Sequence, residues 1–325
     1  MDFPEKNVFE VDGSDLTRQA LALFHFQYQN NPVYQLYIDT LGIDPRLVRQ
    51  LVQIPFLPIA FFKTHAVMTT AFEPEASFES SGTGQIGISR HFVKNLDIYR
   101  ESFTRGFERS YGRITDCCII GLLPSYLERA NSSLVKMADE LIRMTGHPDS
   151  GFYLYDQEKL FETLNRLEAG RQKTLLIGVS FALLDFAEKY KMKLEHVTVV
   201  ETGGMKGRRK ETIRAELHAI LKERLGLTTV HAEYGMTELL SQAWSRGEGI
   251  FRPVPWMKAL VRNEDDPFDL REKGAGILNI IDLANIYSCS FLATEDVGTI
   301  MENGDFEVSG RVDNSDIRGC SLLVV

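Results

Sequence analysis

Between residues 117 and 232 short apolar runs alternate with stretches of helical periodicity, and this rhythm constrains the fold more than any other feature of the chain. Strands are expected at 117–123, 152–155, 174–179, 196–200 and 229–232, with helices at 125–144, 157–167, 181–190 and 206–225. Units of this length predict an α/β fold, a mostly parallel sheet with helices on its faces. In such a fold ligands bind beyond the carboxyl ends of the strands.

The flanking regions read differently. Ser14 and Asp15 can cap a helix carrying Leu16, Ala20, Leu23, Phe24 and Tyr28 at helical spacing; Asn30-Asn31-Pro32 ends it, and a second helix is expected over 33–41. The apolar segment 54–63 holds two prolines and suits core lining or one wall of a substrate pocket. A helix is expected over 91–111. Short strands near 276–281, 290–293 and 306–308 suggest an appended β-rich subdomain. The expected organisation is one large unit: helical over 1–70, α/β and nucleotide-binding over 71–240, and β-rich with a tail over 241–325.

With 325 residues, 44% of them hydrophobic, the chain can bury a large core. A net charge of −9 argues against nucleic acid or an anionic membrane surface as the main partner. Neither a basic leader with an apolar stretch nor a run of 18 apolar residues occurs, which predicts a cytoplasmic protein without a membrane span. Cys117, Cys118, Cys289 and Cys320 lack metal-ligand spacing, so neither a disulfide framework nor a zinc site is expected. The first three fall in expected strands and read as core.

Ser80-Ser81-Gly82-Thr83-Gly84-Gln85-Ile86-Gly87 combines small hydroxyls with glycines and no charge. Its backbone N–H groups and hydroxyls suit a phosphate, although the same composition makes an ordinary surface turn. The loop literally fits G-x-G-x-x-G, but 73–77 is no buried strand, so the dinucleotide-binding context fails. Two segments follow expected strands: Glu201-Thr202-Gly203-Gly204, and Tyr234-Gly235-Met236-Thr237-Glu238, which offers a stacking face, a hydroxyl and a carboxylate for Mg²⁺. Further on, Thr294-Glu295-Asp296-Val297-Gly298 reads as an acidic pair before a turn, and Gly310-Arg311-Val312-Asp313-Asn314 as a turn with a cation. Turn chemistry alone explains each of these in isolation.

In this order the segments resemble the adenylate-forming superfamily of acyl-activating ligases. The short length and the ending Arg318-Gly319-Cys320-Ser321-Leu322 resemble, within it, the acyl-protein synthetase (LuxE-type) family. The resemblance implies an adenylate-forming core with ATP and Mg²⁺ as cofactors. Ser80, Ser81, Gly82, Thr83 and Gly84 would hold the phosphates, Gly203 and Gly204 would flank the adenine, and Tyr234, followed by Gly235, would stack on it. Thr237 would contact the α-phosphate, Glu238 the Mg²⁺, Asp296 the ribose and Arg311 the ribose or phosphate. The resemblance also implies a fatty acid as substrate, Cys320 as the residue that receives the acyl group, and an acyl-CoA reductase-type protein as partner.

Two departures from the superfamily stand out. The loop lacks its lysine, whose charge Lys206, Arg208, Arg209 or Lys210 could supply. Only 14 residues follow Arg311, so the mobile C-terminal domain of larger members is not expected. Alternatives are an acyl-CoA ligase of the phenylacetate type, with CoA as acceptor, and a non-catalytic nucleotide-binding protein.

Overall fold

The computed structural model describes residues 5–11, 15–80, 87–123, 130–203 and 214–312. Helices α1 (Asp15–Asn30) and α2 (Pro32–Thr40) meet at Asn31, whose side chain accepts from the N–H groups of Val33 and Tyr34. Asn31 thus caps α2 while Pro32, with no N–H to leave unpaired, occupies its first turn. Then come β1 (Leu57–Pro58), α3 (Phe61–Thr64), β2 (Ala76–Glu79), β3 (Arg90–Val93) and α4 (Leu96–Tyr111). The helix expected from residue 91 therefore starts five residues later. Residues 90–93 pair antiparallel with β2, and Asn95 caps α4 by accepting from the Asp97 N–H.

The expected alternation follows as β4 (Cys118–Leu122), α5 (Ser133–Thr145), β5 (Gly151–Phe152), α6 (Gln157–Ala169), β6 (Thr174–Val179), α7 (Ser180–Lys189), β7 (Val197–Thr202), α8 (Arg214–Leu225) and β8 (His231–Tyr234). Strands β4 and β6 are buried at every position, as strands covered on both faces must be. Strands β4, β6, β7 and β8 run parallel, with β5 parallel at the edge.

The chain then forms β9 (Ala243–Ser245), β10 (Ile250–Pro253), β11 (Met257–Arg262), β12 (Leu270–Arg271), β13 (Gly274–Asp282), β14 (Phe291–Ile300) and β15 (Phe306–Arg311). Antiparallel pairing of β8 with β9 and of β10 with β15 joins them to the parallel half in one 13-stranded sheet, ordered β12-β11-β13-β14-β15-β10-β9-β8-β7-β6-β4-β5 with β1 beside β14. Two expected turns are strand instead: 294–298 lies inside β14, and Gly310 and Arg311 end β15. Along β14 burial alternates residue by residue, the period-2 pattern of a strand with one face on the core. Cys117 and Cys289 sit just outside strands, although both are buried.

The helical N-terminal part buttresses the loop before β14. Gln27 donates to the carbonyls of Asn285 and Ile286 and accepts from the Ser290 N–H, while Asn31 and Thr69 donate to the Ser288 carbonyl. No helix among the described residues is long and apolar enough to cross a membrane.

Candidate active site

The carboxyl ends of β7 and β8 lie side by side, with Thr202 paired to Glu233 across the ladder. Beyond β8 the chain turns through Gly235 to Glu238, and buried Asp282 fixes the turn's exit. Its two oxygens accept from the N–H groups of Leu240, Ser241 and Ala284 and from the Ser241 hydroxyl. Asn285 donates to the Glu238 carbonyl at 2.8 Å. The segment Tyr234 to Glu238 is therefore held from below by the loop that α1 supports.

From above it is held by the antiparallel pair β2–β3. The Ser80 N–H donates to the Ser89 carbonyl, and the Ser89 N–H to the Ser80 hydroxyl. His91 Nδ1 lies 2.9 Å from the Thr237 carbonyl. A carbonyl only accepts, so Nδ1 carries the proton, and burial keeps the ring neutral by pushing its pKa down to about 4. Glu238 is 6% exposed; burial raises its carboxyl pKa, opposed by a hydrogen bond from Ser89 and by the charges of Arg311 and Lys63. Loop base and Thr-Glu segment thus meet, although some 150 residues separate them.

Tyr234, Asp296 and Arg311 form a second cluster. The Tyr234 hydroxyl donates to Asp296 Oδ2 at 2.8 Å, and Arg311 Nε donates to Oδ1 at 2.8 Å. Asp296 and Arg311 are direct cross-strand partners on β14 and β15. The Tyr234 ring packs against Phe251 and Phe306 and is 8% exposed. Burial first, and then the Asp296 charge, raise the phenol pKa, so Tyr234 keeps its proton as donor. Arg311 reaches solvent and also acts on Glu238, which places the two clusters side by side.

At the ends of β7 and β8, next to Thr237, a cavity of about 170 Å³ is lined by polar Thr202, Glu233 and Gln242 and by apolar Leu134, Met137 and Met236. Glu233 accepts from the Thr202 hydroxyl at 2.5 Å, and burial, reinforced by the Glu201 charge, pushes its pKa up to about 7. Ser180 lies within hydrogen-bond reach of Glu201 and of the Gly203 carbonyl, tying the end of β7 to α7.

The structure thus brings Ser80, Gly203, Tyr234, Gly235, Thr237, Glu238, Asp296 and Arg311 to one rim of the sheet. Ser81, Gly82, Thr83, Gly84, Gly204 and Cys320, with Lys206, Arg208, Arg209 and Lys210, lie outside the described residues. Sequence reasoning missed His91, Lys63, Glu233 and Gln242. Only Glu233 left a signal, an acidic residue at the end of an apolar strand. Among the described residues no three His, Cys, Asp or Glu side chains group as a metal cage.

A family model for acyl-protein synthetase, LuxE, matches residues 12–325. A long-chain-fatty-acid–luciferin-component ligase of Aliivibrio fischeri is 22% identical over 346 residues, spanning 98% of this chain and 90% of that protein. Among solved structures, ATP-bound MatB from Rhodopseudomonas palustris aligns with a TM-score of 0.55 at 16% identity, over 73% of this chain and 48% of MatB. The chain therefore spans about half the length of MatB. A 2-hydroxyisobutyryl-CoA ligase in an open conformation aligns with a TM-score of 0.59 at 12% identity, over 91% of this chain and 74% of that one. These two likenesses are of fold.

Proposed function

The chain belongs to the acyl-protein synthetase family, LuxE, and from that premise we propose that it uses ATP to activate a carboxylic acid of the fatty-acid class and then carries the acyl group on Cys320. The observation that supports this reading most is the convergence of Tyr234, Asp296 and Arg311 beside Thr237 and Glu238, under the base of the glycine loop.

In the first step a carboxylate oxygen of the acid attacks the α-phosphorus of ATP, and pyrophosphate leaves. Asp296 has both oxygens partnered, yet a carboxylate offers about four acceptor positions, so ribose hydroxyls can add to it. Thr237 and Ser80 would donate to phosphate oxygens, and Arg311 and Lys63, whose charges act on Glu238, would supply positive charge nearby. Gly203 would flank the base, and Tyr234 would form one edge of its site. A Mg²⁺ held on phosphates needs only one or two protein carboxylates; Glu238 fits as one, and the ion would neutralise charge on the phosphate oxygens.

In the second step a thiolate attacks the acyl carbon, a thioester forms and AMP leaves. Burial pushes the Cys118 thiol up to about 11 and the Cys289 thiol up to about 12, and raises that of Cys117. These three stay protonated, which favours Cys320 as the acceptor. A thioester on the protein calls for a consumer, and a reductase of the acyl-CoA reductase type fits that need.

Incubation with ATP, Mg²⁺ and a panel of carboxylic acids tests the reading, with pyrophosphate release and intact protein mass followed together. A hydroxylamine-sensitive adduct that Cys320→Ala abolishes and Cys117→Ala retains is expected. Turnover that requires CoA would assign an acyl-CoA ligase instead, and no pyrophosphate with any acid would leave a nucleotide-binding protein.

A further inference from the structure

We infer that His91 and Ser89 are positioning residues: they hold the Thr237–Glu238 turn from β3, so that the hydroxyl proposed to meet the α-phosphate and the carboxyl proposed to meet Mg²⁺ are set by the segment that is also bonded to Ser80. The inference rests on the proposed adenylation and deepens it, because it names what orients two of its groups.

Arg90, at the start of β3, is exposed, whereas Ser89 and His91 on either side of it are buried, as side chains two apart on one face of extended backbone are. The two meet consecutive residues of the turn. His91 Nδ1 donates to the Thr237 carbonyl at 2.9 Å, and the Ser89 hydroxyl donates to the Glu238 carboxyl. The Ser89 backbone meanwhile bonds Ser80 twice, its carbonyl to the Ser80 N–H at 3.1 Å and its N–H to the Ser80 hydroxyl at 3.0 Å. Packing fixes the direction of the imidazole. Phe78, its cross-strand partner on β2, and Phe62 on α3 make T-shaped contacts with it at centroid distances of 6.5 and 5.8 Å.

A peptide group is planar, so holding the Thr237 carbonyl also fixes the Glu238 N–H on its far side, which bonds that residue's own carboxyl. An apolar side chain at 91 would fill the same space without the desolvation cost of a buried imidazole, a cost that only the bond to Thr237 offsets. Groups that act on a phosphate must be held close to their productive positions by packed and hydrogen-bonded neighbours, and β3 supplies both kinds of support here.

Calorimetric titration of the full chain with ATP, with and without Mg²⁺ and well below the melting temperature of each variant, tests this without any acid. His91→Leu keeps apolar bulk and removes the donor; it should weaken ATP binding about fivefold or more in both conditions. His91→Asn places an amide N–H where Nδ1–H stands, and it should restore binding to within about twofold of wild type. Ser89→Ala should act through the metal: the gain in ATP affinity on adding Mg²⁺ should shrink about threefold or more, and affinity without Mg²⁺ should stay within about twofold of wild type. A role in packing alone would lower the melting temperature and leave no dependence on donor or metal.

ATP binding by His91→Leu equal to that of wild type, failure of His91→Asn to restore it, or a loss in Ser89→Ala that is the same with and without Mg²⁺ would overturn the inference. The expected pattern in a protein that releases no pyrophosphate with any acid would leave it standing and sink only the proposed reaction.

Discussion

Tyr234 and Asp296, 62 positions apart, share a 2.8 Å hydrogen bond from phenol to carboxylate, and Arg311 holds the other oxygen of the same carboxylate. The carboxylate proposed to bind the ribose is thereby fixed in place, and the loop base and the Thr237–Glu238 turn lie beside it.

Removing that acid should weaken nucleotide binding. A hydrogen bond to a charged group is worth about 1.5–3 kcal/mol, so Asp296→Ala should raise the ATP KM roughly tenfold to a hundredfold. Tyr234→Phe keeps the ring packing on Phe251 and Phe306 and removes one donor to Asp296, so its effect should be several-fold smaller. Initial rates of pyrophosphate release against ATP concentration measure both.

Gly235→Ala places a Cβ against the Glu233 carboxyl that Thr202 holds, so either the turn or the carboxyl must move. Overpacking of this kind costs about 1–3 kcal/mol. We expect kcat/KM to fall roughly tenfold or more, with Glu233→Ala in the same chain recovering thermal stability in a melting experiment.

Glu233 should leave a mark on stability against pH. Its folded pKa of about 7 stands above the usual 4.5, so the stability it contributes is complete below about pH 4.5 and is lost as pH rises through 7. His91 and His231 act oppositely, because burial lowers both from 6.5 to about 4; their contribution is present above 6.5 and is lost as pH falls towards 4. The wild-type profile mixes these slopes. The difference between wild type and Glu233→Gln isolates the first: melting temperatures from pH 5 to 8 should show the variant gaining relative to wild type as pH rises.

Asp282→Ala should be among the more destabilising single changes in the chain. It strands the N–H groups of Leu240, Ser241 and Ala284 and the Ser241 hydroxyl where water does not reach. At about 1–3 kcal/mol for each unmade buried donor, the loss should reach at least about 3 kcal/mol in chemical denaturation. Activity should fall with it, since the same bonds anchor the exit of the turn after Glu238.

What could be read from the sequence, and what could not, follows from how far each signal reaches along the chain. Parallel strands covered on both faces leave continuous apolar runs, so β4, β6 and β7 were visible at once. The five residues Tyr234 to Glu238 carry their chemistry locally and were visible too. Strand β14 was visible only at its start, over 290–293, because Thr294-Glu295-Asp296-Val297-Gly298 is as polar as a turn. Gly298 is there for close packing rather than turning: a Cβ would stand 2.2 Å from the Glu307 carbonyl oxygen, next to the irregular register between β14 and β15. His91 was hidden because four residues of hairpin precede a true helix without a break in composition. Glu233 and Gln242 share their cavity with Thr202, Leu134 and Met137, none of which is adjacent in sequence.

The central claim is that this rim joins an acid to AMP. Acid-dependent exchange of labelled pyrophosphate into ATP tests it most directly, because exchange requires the reversible formation of an acyl-AMP and no acceptor thiol. We expect exchange with wild type and Cys320→Ala alike, and little with Asp296→Ala. An enzyme that binds ATP yet exchanges no label with any carboxylic acid would contradict the account.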